Sequence, residues 1–588
     1  MRKTKIICTI GPAVSTKEGV KSLIDAGMDV CRLNFSHGKY QNHMEVIAHV
    51  KELRSKISKP LAILLDTKGP EVRTKNSEDL VLKDGQQIEM HGSIDQDGIP
   101  ITPAVVIKDL KVGDKVLFDD GIIEAFVEKK MPETCTIKIL VGGVLKPNKS
   151  TNFPGVNLNL PHLPKKDRED ILFGIEQGVD AIAVSFAMSA EHILSIRELL
   201  RENSAENILI FAKIESLEGI KNFDEILDAS DGIMVARGDL AVECSYTQVP
   251  PMQKMMINKC NTKGKPVIVA TQMLESMIQN KTPTRAEVSD VANSVFDGTS
   301  CTMLSGETAV GKHSAHATEV MAEIISAAEK ESTANHNVAK EIKNISSHIA
   351  ISAVQISNDI KASVILAFSK SGNTARRISA LRPKADVIVV TPQESTFHQC
   401  AFLFGARALR ESGDYDYQSF DQFMYKMLQK KWVKFGELVV ITMGVPFGVS
   451  YTTNTIHIES VGNAILRGDG MNIDDLAPVE GDIIYFFSRG GNRKQEEFKD
   501  KIVVMQDLSD SHLELFIQAS AVVLQNSSYD KKSEKNLKRL FKDHGVPYIK
   551  RAVGAMSLLK EGQKIRIEPS LGLAFCQQSL TEEQMRKS

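Results

Sequence analysis

Two short stretches of the chain carry residue types that can hold a metal ion and an anion together: Phe211-Ala-Lys-Ile-Glu-Ser216 and Met234-Val-Ala-Arg-Gly-Asp239. Each ends an apolar, strand-like run in polar groups. Lys213 and Glu215 are two apart, so on a strand their side chains point the same way. In the second stretch a Gly-Asp pair closes the run where a tight turn would begin. One ammonium and two carboxylates at adjacent strand ends can hold a divalent cation and still stabilise an anionic substrate. Taken alone, the same residues also read as a surface ion pair. The rest of the chain decides between the two.

The elements that would position these groups alternate from residue 3 to about 331. Strand-like runs are Lys5–Ile10, Val30–Ser36, Leu61–Thr67, Asp180–Ala187, Ile208–Glu215, Gly232–Asp239, Lys265–Gln272 and Cys301–Glu307. Amphipathic helical text lies between most of them, as in Thr16–Ala26, Ser189–Glu202 and Val249–Lys263. Eight such units fit a (β/α)8 TIM barrel better than an open Rossmann sheet, and no GxGxxG follows the first strand. The alternation breaks between Arg73 and about Leu160, where short β-like runs and turn signals such as Asp119-Asp-Gly121 predict a small all-β lid domain inserted after the third strand. An insertion there lies at the C-terminal face of the barrel, over an active site.

The whole chain reads as α/β. Beyond the barrel, strands Ser363–Ser369, Asp386–Thr391, Glu437–Met443 and Thr455–Glu459 predict a C-terminal α/β domain. The polar segment around Gly468-Asp-Gly470 reads as a linker to an extra mixed α/β C-terminal domain. The expected boundaries are 1–73 with 161–335, 74–160, 336–470 and 474–588.

Bulk properties exclude several classes. A length of 588 residues predicts roughly three to five domains. The formal net charge of −2, from 72 basic and 74 acidic residues, provides no basic field for nucleic acid. Eight scattered cysteines form no CxxC pair, so they read as reduced core thiols rather than a zinc ribbon or disulfide scaffold. There is no signal-peptide pattern and no apolar run of about 20 residues, which predicts a cytoplasmic protein without a membrane span.

Polar residues gather at the ends of six predicted strands. They include Cys31-Arg-Leu-Asn-Phe-Ser-His-Gly38, Leu65-Asp-Thr-Lys-Gly-Pro-Glu-Val-Arg-Thr74, Ala270-Thr-Gln-Met273 and Met303-Leu-Ser-Gly-Glu-Thr308. A barrel builds its site at that end. Arg32 and Arg73 suit phosphate, while the hydroxyls and carboxylates suit a hard cation.

These segments, with Thr9-Ile-Gly-Pro12, Ala236-Arg-Gly-Asp-Leu240 and Pro283-Thr-Arg-Ala-Glu287, resemble those of the pyruvate kinases over roughly residues 1–470. The resemblance implies transfer of the phosphoryl group of phosphoenolpyruvate to ADP, giving pyruvate and ATP. It implies that Glu215 and Asp239 ligate Mg2+ or Mn2+, and that Lys213 and Arg32 act on the transferring phosphoryl group. Amides near Gly238 and Asp239 would cradle the substrate carboxylate, with Thr271 near the methylene carbon that receives a proton. Asn34, Ser36, Asp66 and Thr67 match the family's K+ site, and Glu71 resembles the K+-dependent members. Pro12, His37, Arg73 and Lys166 match positions near the nucleotide.

Ser369, Lys370, Ser371, Gly372, Asn373 and Thr374, with the Met443–Gly448 loop, resemble a sugar-phosphate effector site, and the family suggests a homotetramer. Three positions depart from the family pattern: Ala241 for Gly, Met188 for a basic residue and His313-Ser314 for Tyr-Pro. The extra domain is similar to the phosphohistidine domain of phosphoenolpyruvate-utilising enzymes, but Ser528–Glu534 contains no histidine, which points to a structural or tetramer-bracing module. A metal-dependent aldolase is the rival enzyme, and a sugar-phosphate sensor the rival from another class. Neither accounts for the lid together with the arginines and the complete set Lys213, Glu215 and Asp239.

Overall fold

Continuous apolar runs flanked by amphipathic helices require strands buried on both faces. The computed structural model resolves them as a closed parallel barrel and describes every residue except 1, 94–96, 157, 332–343, 412–418, 435, 446–452, 463, 472, 474–475, 489–492 and 577–588. The barrel strands are β1 (Lys5–Thr9), β2 (Val30–Asn34), β3 (Ala62–Asp66), β4 (Ala181–Val184), β5 (Leu209–Ile214), β6 (Gly232–Ala236), β7 (Val267–Ala270) and β8 (Cys301–Leu304). They pair in sequence around the ring, with β8 closing on β1. Each strand is one to four residues shorter than its apolar run, because polar residues at the C-terminal end turn out into loops.

Alternation along the strands builds two cores. Val30, Leu64, Ala183, Phe211 and Met234 fill the barrel interior, while Cys31, Ile63, Leu65, Ile182 and Ile210 pack outward against the helices. The helices begin where capping residues stand: Thr16 accepts from the Gly19 amide and Ser189 from the His192 amide, and Thr284 and Glu287 form a reciprocal box ahead of Arg285–Phe296. The strand expected to run to Asp239 instead stops at Ala236, and Arg237–Glu243 is helical.

The break in alternation after β3 is an all-β insertion. Seven of its strands form one sheet and two more pair separately, around a core of its own that includes Met90, Ile99, Phe118, Ile137 and Phe153. Beyond the barrel, Asp386–Thr391 runs parallel to Ala406–Arg410 in a five-stranded sheet. A last, seven-stranded sheet mixes parallel and antiparallel pairs and includes Ala464–Arg467, Val479–Tyr485 and Leu573–Cys576. Residues 468–470, expected as a linker, are instead bonded into that region: the Gly468 amide donates to Gly572 O, and Asp469 and Lys550 exchange backbone hydrogen bonds.

Packing divides the chain into two compact units. The first is Met1–Val354 with Leu366–Gly413 and Thr442–Thr455, and the second is Gln355–Ile365 with Asp414–Ile441 and Ile456–Ser588. Among the described residues no helix is long and apolar enough to cross a membrane. All eight cysteines are free thiols, six of them buried.

Candidate active site

Strand alternation continues past the barrel core and aims polar side chains inward at its C-terminal end. Arg32 follows Val30, Asp66 follows Leu64, and Lys213 follows Phe211, each two residues on and therefore on the same face. Register brings them level, with Arg32 opposite Leu64, and Asp66 opposite both Asn34 and Ala183. The result is a connected network. The Lys213 ammonium donates to Asp66 Oδ1 at 2.9 Å and to Ser185 Oγ at 2.6 Å, and lies 3.1 Å from Glu215 Oε1. Arg32 donates through Nε to Asp66 Oδ2 at 2.7 Å and through Nη1 to Thr9 Oγ1 at 2.8 Å.

Burial sets the electrostatics. It works against the charge on Lys213, but the Asp66 and Glu215 carboxylates outweigh it and hold the ammonium firmly protonated. Burial likewise opposes ionisation of Asp66, and Lys213 and Arg32 together override it and pull that carboxyl below its ordinary range. Glu215 and Asp239 behave oppositely. Burial is the largest influence on both, Lys213 offsets it only in part, and both carboxyls are pushed upward. Two adjacent carboxylates that resist ionisation side by side are a donor pair suited to a divalent cation, which would relieve their repulsion. Two carboxylates fill only part of a divalent cation's oxygen shell and would leave its remaining positions to substrate oxygens and water.

The loop after β3 is held by its own contacts. Gly69 has φ of +79°, and a Cβ there would lie 2.7 Å from that of Ser185, so only glycine fits. Its amide donates to Asp167 Oδ2 at 3.0 Å, and burial lifts the Asp167 carboxyl to about 6. Asn34 Oδ1 accepts from the Ser36 amide at 3.1 Å, and the Thr67 hydroxyl accepts from the Ser185 amide at 3.1 Å. Asn34, Ser36, Asp66 and Thr67 thus stand beside one another at the ends of β2 and β3.

The predicted nucleotide residues are less tightly grouped. Lys166 pairs with Asp170 and donates at 3.1 Å to the hydroxyl of Tyr40, three residues along the chain from the exposed His37. Pro12 is exposed just past β1. Arg73 is drawn to Glu71 through two bonds, of 2.7 and 3.1 Å, and to Asn148 O at 2.9 Å. Arg73 and Glu71 line a cleft of about 390 Å³ that also takes in Asp120, Phe186, Met188 and Asp239. Met188, where the family pattern has a basic residue, therefore adds an apolar wall.

The end of β6 and the start of the helix Arg237–Glu243 lie against β7. The Gly238 amide donates to Thr271 Oγ1 at 2.8 Å. Ala241 lies within that helix and is not among the residues with positive φ, so alanine in place of the family's glycine is unstrained there.

In the α/β region, Gly372 takes φ of 76° and caps the helix Asn373–Ala380. Lys370 O accepts from Thr396 Oγ1 at 2.9 Å, Ser371 O accepts from Arg376, and the Thr374 hydroxyl is 2.5 Å from that of Thr453. Ser369 extends from the strand, its amide bonded to Val390 O. Residues 446–448 of the companion loop lie outside the described residues.

Sequence reasoning did not single out Ser185. The signal was present, since Ser185 continues the inward series Ala181, Ala183 that lines the barrel.

A closed (β/α)8 barrel with an inserted β lid, a buried ammonium and a carboxylate pair at its C-terminal end defines an enzyme of anionic substrates. Comparison with known proteins is specific. The family model "Pyruvate kinase, barrel domain" matches residues 1–318, and "Pyruvate kinase, alpha/beta domain" matches residues 347–459. The chain is 39% identical to the pyruvate kinase of Bacillus licheniformis, with 98% of this chain and 99% of that protein covered. It is 38% identical to that of Geobacillus stearothermophilus, with 98% of each covered. The crystal structure of a pyruvate kinase from Cryptosporidium parvum superposes with a TM-score of 0.75 at 35% identity, covering 78% of this chain and 96% of that one. The chain belongs to the pyruvate kinase family. Its activity is the glycolytic transfer of the phosphoryl group of phosphoenolpyruvate to ADP.

Proposed function

We propose that the network centred on Lys213 carries this phosphoryl transfer. The observation that carries the reading is the buried ammonium held by oxygens of Asp66, Ser185 and Glu215. Phosphoryl transfer needs little covalent help from the protein, so catalysis is mostly positioning and charge stabilisation. Lys213 faces the charge that develops on the phosphoryl oxygens as the bond to the enolpyruvate oxygen breaks and the bond to the ADP oxygen forms. Arg32, fixed through Asp66 and Thr9, holds the same phosphate.

Glu215 and Asp239 would hold Mg2+ or Mn2+, which supplies Lewis-acid polarisation of phosphoryl and enolate oxygens. Asn34, Ser36, Asp66 and Thr67 would hold K+. The amides of Gly238 and Asp239 receive the substrate carboxylate once the Thr271 hydroxyl turns from the Gly238 amide toward the methylene carbon. Pro12, His37, Arg73 and Lys166 line the approach of ADP.

Four functional regions follow: a barrel over 1–73 and 161–335, a lid over 74–160, an α/β region over 336–470 that binds a sugar phosphate through residues 369–374, and a C-terminal region over 474–588 that braces a homotetramer.

One coupled assay tests the core of this reading. With phosphoenolpyruvate, ADP, Mg2+ and K+, pyruvate should form only when ADP is present. Activity should drop when K+ is exchanged for a large organic cation, and it should fall by two orders of magnitude or more, roughly, in Lys213→Met with the fold intact. Turnover that survives in that variant overturns the assignment.

A further inference from the structure

The turn that presents Thr271 is strained, and a residue with no role in the scheme above holds it. β7 ends at Ala270, and the next two residues, Thr271 at φ 68° and Gln272 at φ 54°, both occupy the left-handed region. For a β-branched side chain that region is sparsely populated, and each such residue costs about 1–3 kcal/mol unless its surroundings enforce it. Arg237 supplies that enforcement. Its Nη2 donates to Thr271 O at 2.6 Å, and its Nε donates to Ala270 O at 3.3 Å. The same Nη2 lies 2.9 Å from Met273 Sδ. On its other side Nη1 donates to Asp290, 2.7 Å from Oδ2 and 2.8 Å from Oδ1. Asp290 stands on the helix Arg285–Phe296, whose start is fixed by the Thr284–Glu287 capping box.

The guanidinium therefore bridges three elements: the end of β6, the turn after β7 and the following helix. The restraint reaches the hydroxyl. With its backbone clamped, Thr271 directs Oγ1 between two groups, donating to Ala270 O at 2.6 Å and accepting from the Gly238 amide at 2.8 Å. A trans-bridging fork is a task for arginine. The single ammonium of a lysine cannot meet Thr271 O, Ala270 O and Asp290 in one plane.

We propose that Arg237, anchored by Asp290, is a positioning residue for the protonation half of the reaction. It fixes the Thr271 backbone, so that the hydroxyl, on turning from Ala270 O and the Gly238 amide, brings its proton to the methylene carbon of the enolate left by phosphoryl transfer. In that step the enolate's π pair forms the new C–H bond and the C–O bond becomes the ketone of pyruvate. The proton leaves a hydroxyl oxygen at Thr271, which is reprotonated from solvent. This rests on the reading of Thr271 given above. It separates the two halves of the reaction, with Lys213 and Arg32 serving the phosphoryl group and Arg237 serving the carbon.

The test follows both halves in the full-length enzyme. Hydrogen–deuterium exchange into the methyl group of pyruvate is measured by NMR in D2O with ATP, Mg2+ and K+, beside steady-state kcat and the KM for phosphoenolpyruvate. In Arg237→Lys and Asp290→Asn, methyl exchange should fall by roughly 10- to 100-fold, the effect of displacing a reacting group by about 1 Å, while that KM moves less than about twofold. Asp290→Glu, which keeps the carboxylate, should recover most of the exchange. If Arg237→Lys does not fold, Asp290→Asn and Asp290→Glu carry the comparison. Unchanged exchange in Asp290→Asn, or loss of exchange only in step with a rise in KM and a fall in melting temperature, overturns the proposal. Thr271→Ala separates the layers: undiminished exchange there removes the reading of Thr271 itself, whereas exchange lost in Thr271→Ala but intact in the Arg237 and Asp290 variants removes only the proposal.

Discussion

At the scale of single residues, the Lys213 ammonium is held by two carboxylates and one neutral oxygen, and the neutral one is the most informative. Ser185 contributes no charge, so replacing it alters where the ammonium sits but leaves the electrostatics of the site nearly intact. Losing one buried hydrogen bond costs about 1–2 kcal/mol, so Ser185→Ala should lower kcat roughly tenfold and leave the KM for ADP unchanged. An unaltered kcat in steady-state assays would show that Asp66 and Glu215 position Lys213 unaided. The spacing of Lys213 and Glu215 was legible because two residues on a strand share a face. The bond from Lys213 to Asp66 was not legible, since it depends on which strands the barrel brings opposite each other, and local text does not state register.

At the scale of elements, the helix Arg237–Glu243 is where reading and structure part. An apolar run followed by Arg-Gly-Asp reads as a strand that continues, yet the chain turns into helix directly after Ala236. Asp239 therefore reaches the site from the first turn of a helix, rather than from a strand end. Propensity could not foresee this, because tertiary bonds of Arg237 and Gly238 to the Thr271 region fix the helix start. Ala241, an apparent departure, becomes favourable there. Ala241→Gly should destabilise the protein by about 1 kcal/mol in chemical denaturation, the usual penalty for glycine in a helix interior. A gain in stability would mean that the position prefers a conformation helices do not supply.

At the scale of the whole molecule, the barrel was legible because each strand and helix repeats a periodic pattern and all eight agree. The C-terminal sheet was less so. Ala464–Arg467 is short and pairs with Leu573–Cys576, a partner far along the chain that no local pattern announces. A buried histidine outside the active site makes the molecule's response to acid predictable. His398 accepts from the Leu61 amide at 3.3 Å, and burial, with help from Arg54 and Arg410, pushes its pKa down to about 3 from an ordinary 6.5.

The unfolded chain binds that proton first as pH falls, so the stability involved is complete above about 6.5 and is lost progressively below it. Between about pH 6.5 and 4.5 the loss amounts to roughly 2–3 kcal/mol. In urea titrations His398→Gln should flatten the pH dependence over that interval, and an equally steep dependence in the variant would assign the effect elsewhere.

Asp66 accepts from Arg32 with one oxygen and from Lys213 with the other, at the floor of the site. Asp66 compensates both cations, so removing it strands Arg32 and Lys213 in a buried place, with Glu215 left beside Lys213 alone. The effects of substituting Arg32, Asp66 and Lys213 are then strongly sub-additive, the first change doing most of the damage. Asp66 is thus the keystone of that floor, and once it is lost, neutralising Arg32 or Lys213 removes a stranded charge rather than breaking a pair.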